Sequence, residues 1–401
     1  MTADILFWPT AVCGALIGYH HVGYPLLLRF ATRRRVLRMP AVEPRAYLEQ
    51  DNDRLLPFIH VIIPAFNEAD FVGEKIRNMA VVDYPANRVK ISILCDGCTD
   101  DTAQIARLTA LEPECSHLAV DVVEHRVNRG KVAVINEAIL ASKAEFVALS
   151  DVSALVSFDA FLIAIAHFKL KQVGVVSGCY RFLNPSSAGE EAYWKYQTAI
   201  KQQESALGST LGVHGAFYML RRELFQPLAP DTINDDFVLP MTIVAQGFKA
   251  EYEPRIVAVE LEHATVDVEQ RRRRRIAAGN AQQVARLWRL LSPRFRGVAF
   301  NFASGKTLRV LMPGCLVFFL LGTIALANEY AIFAVALAAQ MTVYGLAAYR
   351  QAILPREVPK ALQTVHYVVS GYVVSLVGIL RYMLGLEKGR WTRATISGDK
   401  R

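Results

Sequence analysis

Six cysteines, at positions 13, 95, 98, 115, 179 and 315, are too scattered for a disulfide framework, so the fold must be held by its core. Cys95 and Cys98 form the single C-x-x-C pair, a spacing that suits thiol redox chemistry or a metal, but no second pair completes a zinc site. No recognition-helix, zinc-finger or aromatic-stacking pattern accompanies the net charge of +8, which argues against a nucleic-acid partner. The basic residues crowd beside long apolar runs instead, where membrane lipids with anionic heads are the expected partner. The opening run Ile5–Leu28 lacks a basic leader and a small-residue cleavage site, so an uncleaved anchor is expected rather than a signal peptide. There is no internal repeat, and the only low-complexity stretch is Arg271–Arg275.

Long apolar runs are plentiful. With 53% hydrophobic residues, the chain has near-charge-free segments at Ile5–Leu28, Leu308–Ala327, Tyr330–Tyr349 and Leu362–Leu380, each about the 20 residues a bilayer requires. Arg29, Arg33, Arg34, Arg35 and Arg38 follow the first, and Arg350, Arg356 and Lys360 separate the last two. The excess of positive charge beside membrane segments puts both stretches, and the domain between them, on the cytoplasmic side. After residue 265, arginines interleave with Ile276, Val284, Leu287, Trp288 and Leu291, the pattern of a basic amphipathic segment lying in the interface plane.

Between residues 57 and 182 the pattern alternates. HVIIPAF, VKISILCDG, LAVDVVEH, EFVALSD and VGVVSGCY read as buried strands. The stretches between them carry apolar residues at three- and four-residue steps, and Thr99 and Asp100 supply a polar start for the second helix. Strand and helix repeated in this way predict a doubly wound, mostly parallel α/β layer. Asp96 and Asp151 each end an apolar run, and acids at the carboxyl ends of such strands sit where open α/β sheets bind ligands.

The succession HVIIPAFNEADFV, ILCDGCTDDTAQIA, NRGKVAVINEAI, ALSDVSA, GVHGAFYMLRRELF and NDDFVLPMTIVAQGFKAEYEP resembles the family-2 glycosyltransferases of GT-A fold, over residues 58 to about 280. The arginine run and the trailing apolar segments are similar to the membrane-embedded subset, the cellulose, chitin-oligosaccharide and hyaluronan synthases. The resemblance implies that Asp96 and Glu68 line the nucleotide pocket, with Lys131 beside nucleotide and sugar. It places Asp151 at the first position of a metal-binding D-x-D whose second position is Ser153, so that one carboxylate holds Mg²⁺ or Mn²⁺. Asp236 falls on the general base, with Asp235 supporting it. Arg272 and Arg275 take the two polar positions of a Q/R-x-x-R-W element that meets the departing diphosphate, and Ile276 stands where that element has tryptophan. His214 is a candidate either for the acceptor pocket or for a structural role, and Trp391-Thr392-Arg393 resembles a W-x-T-R gating segment.

The organisation expected is an anchor over 1–30, a basic linker over 31–56 and a GT-A domain over 57–265. An interfacial region over 266–305, membrane helices over 306–382 and a basic tail over 383–401 complete it. The function implied is inverting transfer from a nucleotide sugar, UDP-linked, to a saccharide or lipid-linked acceptor. A processive polysaccharide synthase and a polyprenyl-phosphate sugar transferase are the alternatives within the class. An inactive assembly or export component of the same fold is the non-enzyme alternative, and a homo-oligomer or export partners are further associates under these readings.

Overall fold

Apolar runs entered from polar turns form β1 (Ile59–Ala65), β2 (Val89–Asp96), β3 (Ala119–His125), β4 (Phe146–Leu149), β5 (Ala154–Val156), β6 (Val173–Phe182), β7 (Tyr218–Arg221) and β8 (Lys249–Glu260). The computed structural model describes residues 2–35, 37, 39–43, 45–183, 188–262, 266–352 and 359–387. Arg38, Arg356 and Trp391 to Arg393 lie outside the described residues. The strands form one mixed sheet in the order β3-β2-β1-β4-β7-β6-β8-β5. From β3 to β4 the neighbours run parallel, as do β6 and β8. Strand β7 runs antiparallel between β4 and β6, and β5 antiparallel to β8. The five strands expected from sequence are present; β5, β7 and β8 are additional, and β7 makes the sheet mixed.

Helices Ala69–Ala80, Thr102–Ala110, Lys131–Ala141 and Ala160–Phe168 connect the first strands. Strand β1 is buried at every position, as is β4, the signature of a sheet covered on both faces. The second helix starts later than Thr99 and Asp100 suggested. It begins at Thr102, whose N–H donates to Asp100 Oδ1 at 3.1 Å, while Thr99 N–H is turned away to Asn67 Oδ1 at 2.8 Å.

The chain clusters into two compact units. The sheet lies in one, which comprises 35–185 and 197–264; the other, helical, comprises 1–34, 186–196 and 265–387. In the helical unit Asp4–Thr32, Gly297–Leu326, Ala331–Ala352 and Lys360–Met383 are long and apolar enough to cross a membrane. Small residues bring helices of this unit together: Gly322 faces the Thr10 side chain of Asp4–Thr32 with no room for a Cβ, and Gly378 faces the Arg274 carbonyl of helix Val266–Arg286 in the same way. Helix Val266–Arg286, which carries the arginine run, packs on Lys360–Met383, with the Arg273 guanidinium 3.9 Å over the Tyr367 ring.

Candidate active site

The carboxyl ends of β1, β2 and β4 build the site from three turns. Asp96, the last residue of β2, is fully buried and accepts the N–H of Arg129 at 2.9 and 3.1 Å and that of Gly130 at 2.7 Å. Two backbone donors on one carboxylate, the first shared between its two oxygens, fix the Asn128–Gly130 turn. Gly97 allows it: its φ is +69°, and a Cβ there would overlap the backbone of Val127 and Asn128. Asp96 thereby sets the position of the next residue in that turn, Lys131, which opens helix Lys131–Ala141. Glu68 begins helix Ala69–Ala80 beside the same edge, its N–H donating to Thr102 Oγ1 at 2.8 Å.

Lys131 gathers the acids. Its Nζ lies 2.8 Å from Asp151 Oδ1, just past β4, and 3.7 Å from Asp235 Oδ2, the first residue of helix Asp235–Ala245. Burial disfavours the lysine's charge, but Asp151, Asp235 and Asp236 outweigh it and raise its pKa, so Lys131 stays cationic. Asp235 and Asp236 both fall in the first turn of that helix, where free N–H groups stabilise carboxylates. A loop over 209–217 closes the group from the side. Val213 N–H donates to Asp236 O at 3.0 Å, and a Cβ on Gly215 would stand 3.0 Å from Asp151 Oδ2. His214, between them, stacks on Tyr180 with centroids 3.5 Å apart, and its Nδ1 accepts the Ala216 N–H at 3.3 Å.

Two residues of this site escaped the sequence reading. Tyr218 on β7 is 1% exposed, and its hydroxyl makes no hydrogen bond among the described residues. Burial first, then Asp235, Asp236 and Asp151, drive its pKa well up, so a neutral hydroxyl faces the acids. Lys75, fully buried, donates to Ser150 Oγ at 2.7 Å and Ala154 O at 2.5 Å, while Ser150 Oγ donates to Ala216 O at 2.6 Å. This chain of bonds ties helix Ala69–Ala80, the Asp151 turn and the 209–217 loop together. Neither the tyrosine in GAFYMLRR nor the lysine in FVGEKIRNM ends an apolar run or stands beside another charged residue of the site in sequence, so the sequence carried no signal for either.

The metal expectation is tested by the donor set. Among the described residues no three His, Cys, Asp or Glu side chains are grouped to cage an ion. Asp151 Oδ2 nonetheless lies beside Gly215, where a Cβ would stand 3.0 Å from it, and an unpartnered Tyr218 hydroxyl lies in the same acidic surroundings. That set fits a hard cation held by one carboxylate and completed by phosphate and water. Ser153 is buried two residues on, its carbonyl accepting Leu261 N–H at 2.9 Å. The structure thus brings Lys131, Asp151, Asp235 and Asp236 together, with Asp96 behind them. Arg272 and Arg275 belong to the helical unit, on helix Val266–Arg286, and their assignment rests on the resemblance alone.

The model of the glycosyltransferase-like family 2 matches residues 57–279, more than half of the chain. A poly-beta-1,6-N-acetyl-D-glucosamine synthase of Staphylococcus epidermidis is 26% identical over 250 residues, 60% of this chain and 59% of the relative. A beta-monoglucosyldiacylglycerol synthase of Trichormus variabilis is 26% identical over 258 residues, 62% of this chain and 54% of the relative. The chain therefore spans under two thirds of the length of either. Among solved structures, a mannosyltransferase from Pyrobaculum calidifontis, in complex with GDP-Man and Mn²⁺, superposes with a TM-score of 0.72 at 23% identity, covering 94% of this chain and 100% of that one. That likeness concerns the fold, a Rossmann-like GT-A sheet with its flanking helices. On the extent of the family match, this chain belongs to the family-2 glycosyltransferases.

Proposed function

We propose that this chain is an inverting glycosyltransferase that moves a sugar from a UDP-linked donor onto a saccharide or lipid-linked saccharide at the cytoplasmic membrane face, in polysaccharide or glycolipid synthesis. The observation that carries this reading is the group formed by Lys131, Asp151 and Asp235, with Asp236 one residue on, at the carboxyl end of the sheet. The two relatives named above make a polysaccharide and a glycolipid, which supports that product class.

In this reading Glu68, Asp96 and Lys131 form the donor side. Asp96 holds the Arg129–Gly130 backbone in place, and Lys131 balances Asp151 and Asp235 and meets the donor's diphosphate. Asp151, with Ser153 on the same turn, would hold Mg²⁺ or Mn²⁺, and the bound cation would neutralise the leaving diphosphate. Asp236 takes the proton of the acceptor hydroxyl as its oxygen attacks the anomeric carbon, the C–O bond to the diphosphate breaking on the opposite face. Tyr218, neutral and buried among these acids with its hydroxyl unpartnered, is assigned as a donor to bound substrate. Arg272 and Arg275 are assigned to the departing diphosphate, since guanidinium forks match its oxygens.

The test is a screen of UDP- and GDP-sugars with the detergent-purified chain, reading nucleotide release with and without lipid and saccharide acceptors. Release from one UDP-sugar, raised by an acceptor, is expected. No release from any donor under any acceptor condition would support the non-enzymatic alternative instead.

A further inference from the structure

The Cys95–Cys98 pair plays no part in the chemistry above. Cys95 is buried near the end of β2, and Cys98 is half-buried on the turn just beyond Asp96 and Gly97. Both are free thiols, separated by only Asp96 and Gly97 along the chain. Asn67 N–H donates to Cys98 Sγ at 3.5 Å, and Ala65 O lies 3.5 Å from the same sulfur. Asn67 is a left-handed non-glycine residue, φ 56°, so the backbone of the β1 turn accepts some strain in the conformation that aims this N–H. The pair also straddles Asp96, the acid on which the Arg129–Gly130 turn depends.

The two sulfurs are unlike. The hydrogen bond from Cys95, helped by Asn67 N–H and the Thr102 hydroxyl against burial and Asp100, lowers the Cys98 pKa to about 7. The same bond, with burial, pushes the Cys95 thiol far up. Cys98 is also the half-buried sulfur with an N–H aimed at it, whereas Cys95 is 1% exposed, so one sulfur can meet a small disulfide and its neighbour is held in reserve, the division of labour in an exchanging dithiol.

We propose that Cys98 is a modification site, a reactive thiol that exchanges with small-molecule disulfides, and that Cys95 resolves the product into a Cys95–Cys98 disulfide that loosens the Asp96 turn. The Cys98 thiolate attacks one sulfur of the small disulfide, forming a mixed disulfide and expelling one thiolate, which takes up a proton. Cys95 then loses its proton to solvent and attacks Cys98 Sγ, forming the internal disulfide and expelling the second thiolate. Two protein thiols are oxidised and one small disulfide is reduced to two thiols. The new bond withdraws the Cys98 sulfur from Asn67 and draws the two residues flanking Asp96 and Gly97 together, which shifts the Asp96 carboxylate away from the Arg129 and Gly130 N–H groups it holds. An effect on the donor rests on the function proposed above; the thiol chemistry and the loosened turn do not.

The test uses the full chain in detergent with Cys13, Cys115, Cys179 and Cys315 replaced by alanine. Limiting N-ethylmaleimide at neutral pH should label the half-buried Cys98 at least roughly tenfold faster than the buried Cys95. Oxidised glutathione should yield a peptide two hydrogens lighter, reversible by dithiothreitol, and faster amide exchange at Arg129 and Gly130. In Cys95→Ala the glutathione adduct should persist on Cys98, and in Cys98→Ser neither product should form. Labelling of Cys98 no faster than of Cys95, absence of the disulfide, or a disulfide that leaves the Arg129 and Gly130 amides unchanged would each overturn the proposal. These readouts do not depend on nucleotide binding, so a chain that binds no UDP-sugar sinks the function above without deciding this one.

Discussion

Asp236 and Asp151 differ in what their removal should cost. A base acts only as the transition state forms, so Asp236→Asn should lower turnover by about 10²–10⁴-fold while leaving nucleotide affinity within a few-fold. Single-turnover assays beside nucleotide titrations check this, and retained turnover would defeat the assignment. Asp151→Ala should instead weaken cation and nucleotide binding together, and wild-type activity should vanish in excess chelator; full activity there excludes the metal role. Tyr218→Phe separates an active hydroxyl from a packed ring. Because the hydroxyl has no partner among the described residues, its loss should leave the thermal midpoint unchanged or higher while turnover falls. A titration elsewhere follows from His60, buried against Ser92 Oγ at 2.8 Å, where burial first and Lys90 second lower its pKa from 6.5 to about 4. The unfolded chain takes up that proton first as pH falls. Stability from this group is therefore complete above 6.5 and declines through the interval down to about 4, on the order of 1 kcal/mol per pH unit. Denaturation midpoints at pH 7 and pH 5 should converge in His60→Gln; an unchanged pH slope in the variant would contradict it. At this scale the acids were legible because an aspartate ending an apolar run is conspicuous, whereas Tyr218 and Lys75 matter only through the three-dimensional neighbours that surround them.

The elements explain why the sheet was read in part. Strands β1, β2, β4 and β6 are mainly apolar runs between helical periods, and with β3 they were expected in place; β3, however, is the edge strand and has no buried position, because Asp121, Glu124 and His125 interrupt its apolar run, so it is not the buried strand expected. Strand β7 has four residues and β5 three, too few for a period, and β8 carries Pro254 and alternates charge along its length, so length and pattern concealed all three. Their absence from the sequence reading also hid Tyr218, whose place in the site comes from β7 entering antiparallel beside β4. Turns are where the site is most sensitive. Gly97→Ala meets a left-handed φ and the backbone of Asn128, a strain of order 1–3 kcal/mol, and it lies directly beside Asp96. Gly247→Ala carries a similar φ of +99° with nothing within 4 Å of the new Cβ. Both variants should lose stability, but only Gly97→Ala should lose donor affinity, and calorimetry with a UDP-sugar distinguishes them. Equal affinity in the two would remove Asp96 and its turn from the donor side.

For the whole molecule, the membrane segments were the most legible feature, since four apolar runs of spanning length need no tertiary context to be seen. Orientation follows from charge: a single cysteine placed within 57–260 of an otherwise cysteine-free chain should resist impermeant thiol reagents in intact cells and react once the membrane is opened. Labelling in intact cells would reverse the proposed topology. Product length turns on Ile276, which is 39% exposed on helix Val266–Arg286 and stands at the position that the resemblance gives to tryptophan. A sugar stacked on an aromatic plane gains on the order of 1 kcal/mol, about fivefold in residence of the growing end. An isoleucine has no flat face to offer, so the acceptor should leave after one or a few additions, closer to the glycolipid-forming relative than to the polysaccharide-forming one. Radiolabelled product from the purified chain should run as short species, and Ile276→Trp should shift the distribution upward without raising the rate of the first addition. A high-molecular-weight polymer from the unmodified chain would overturn this account and make the protein a polysaccharide synthase, with some other residue holding the acceptor between additions.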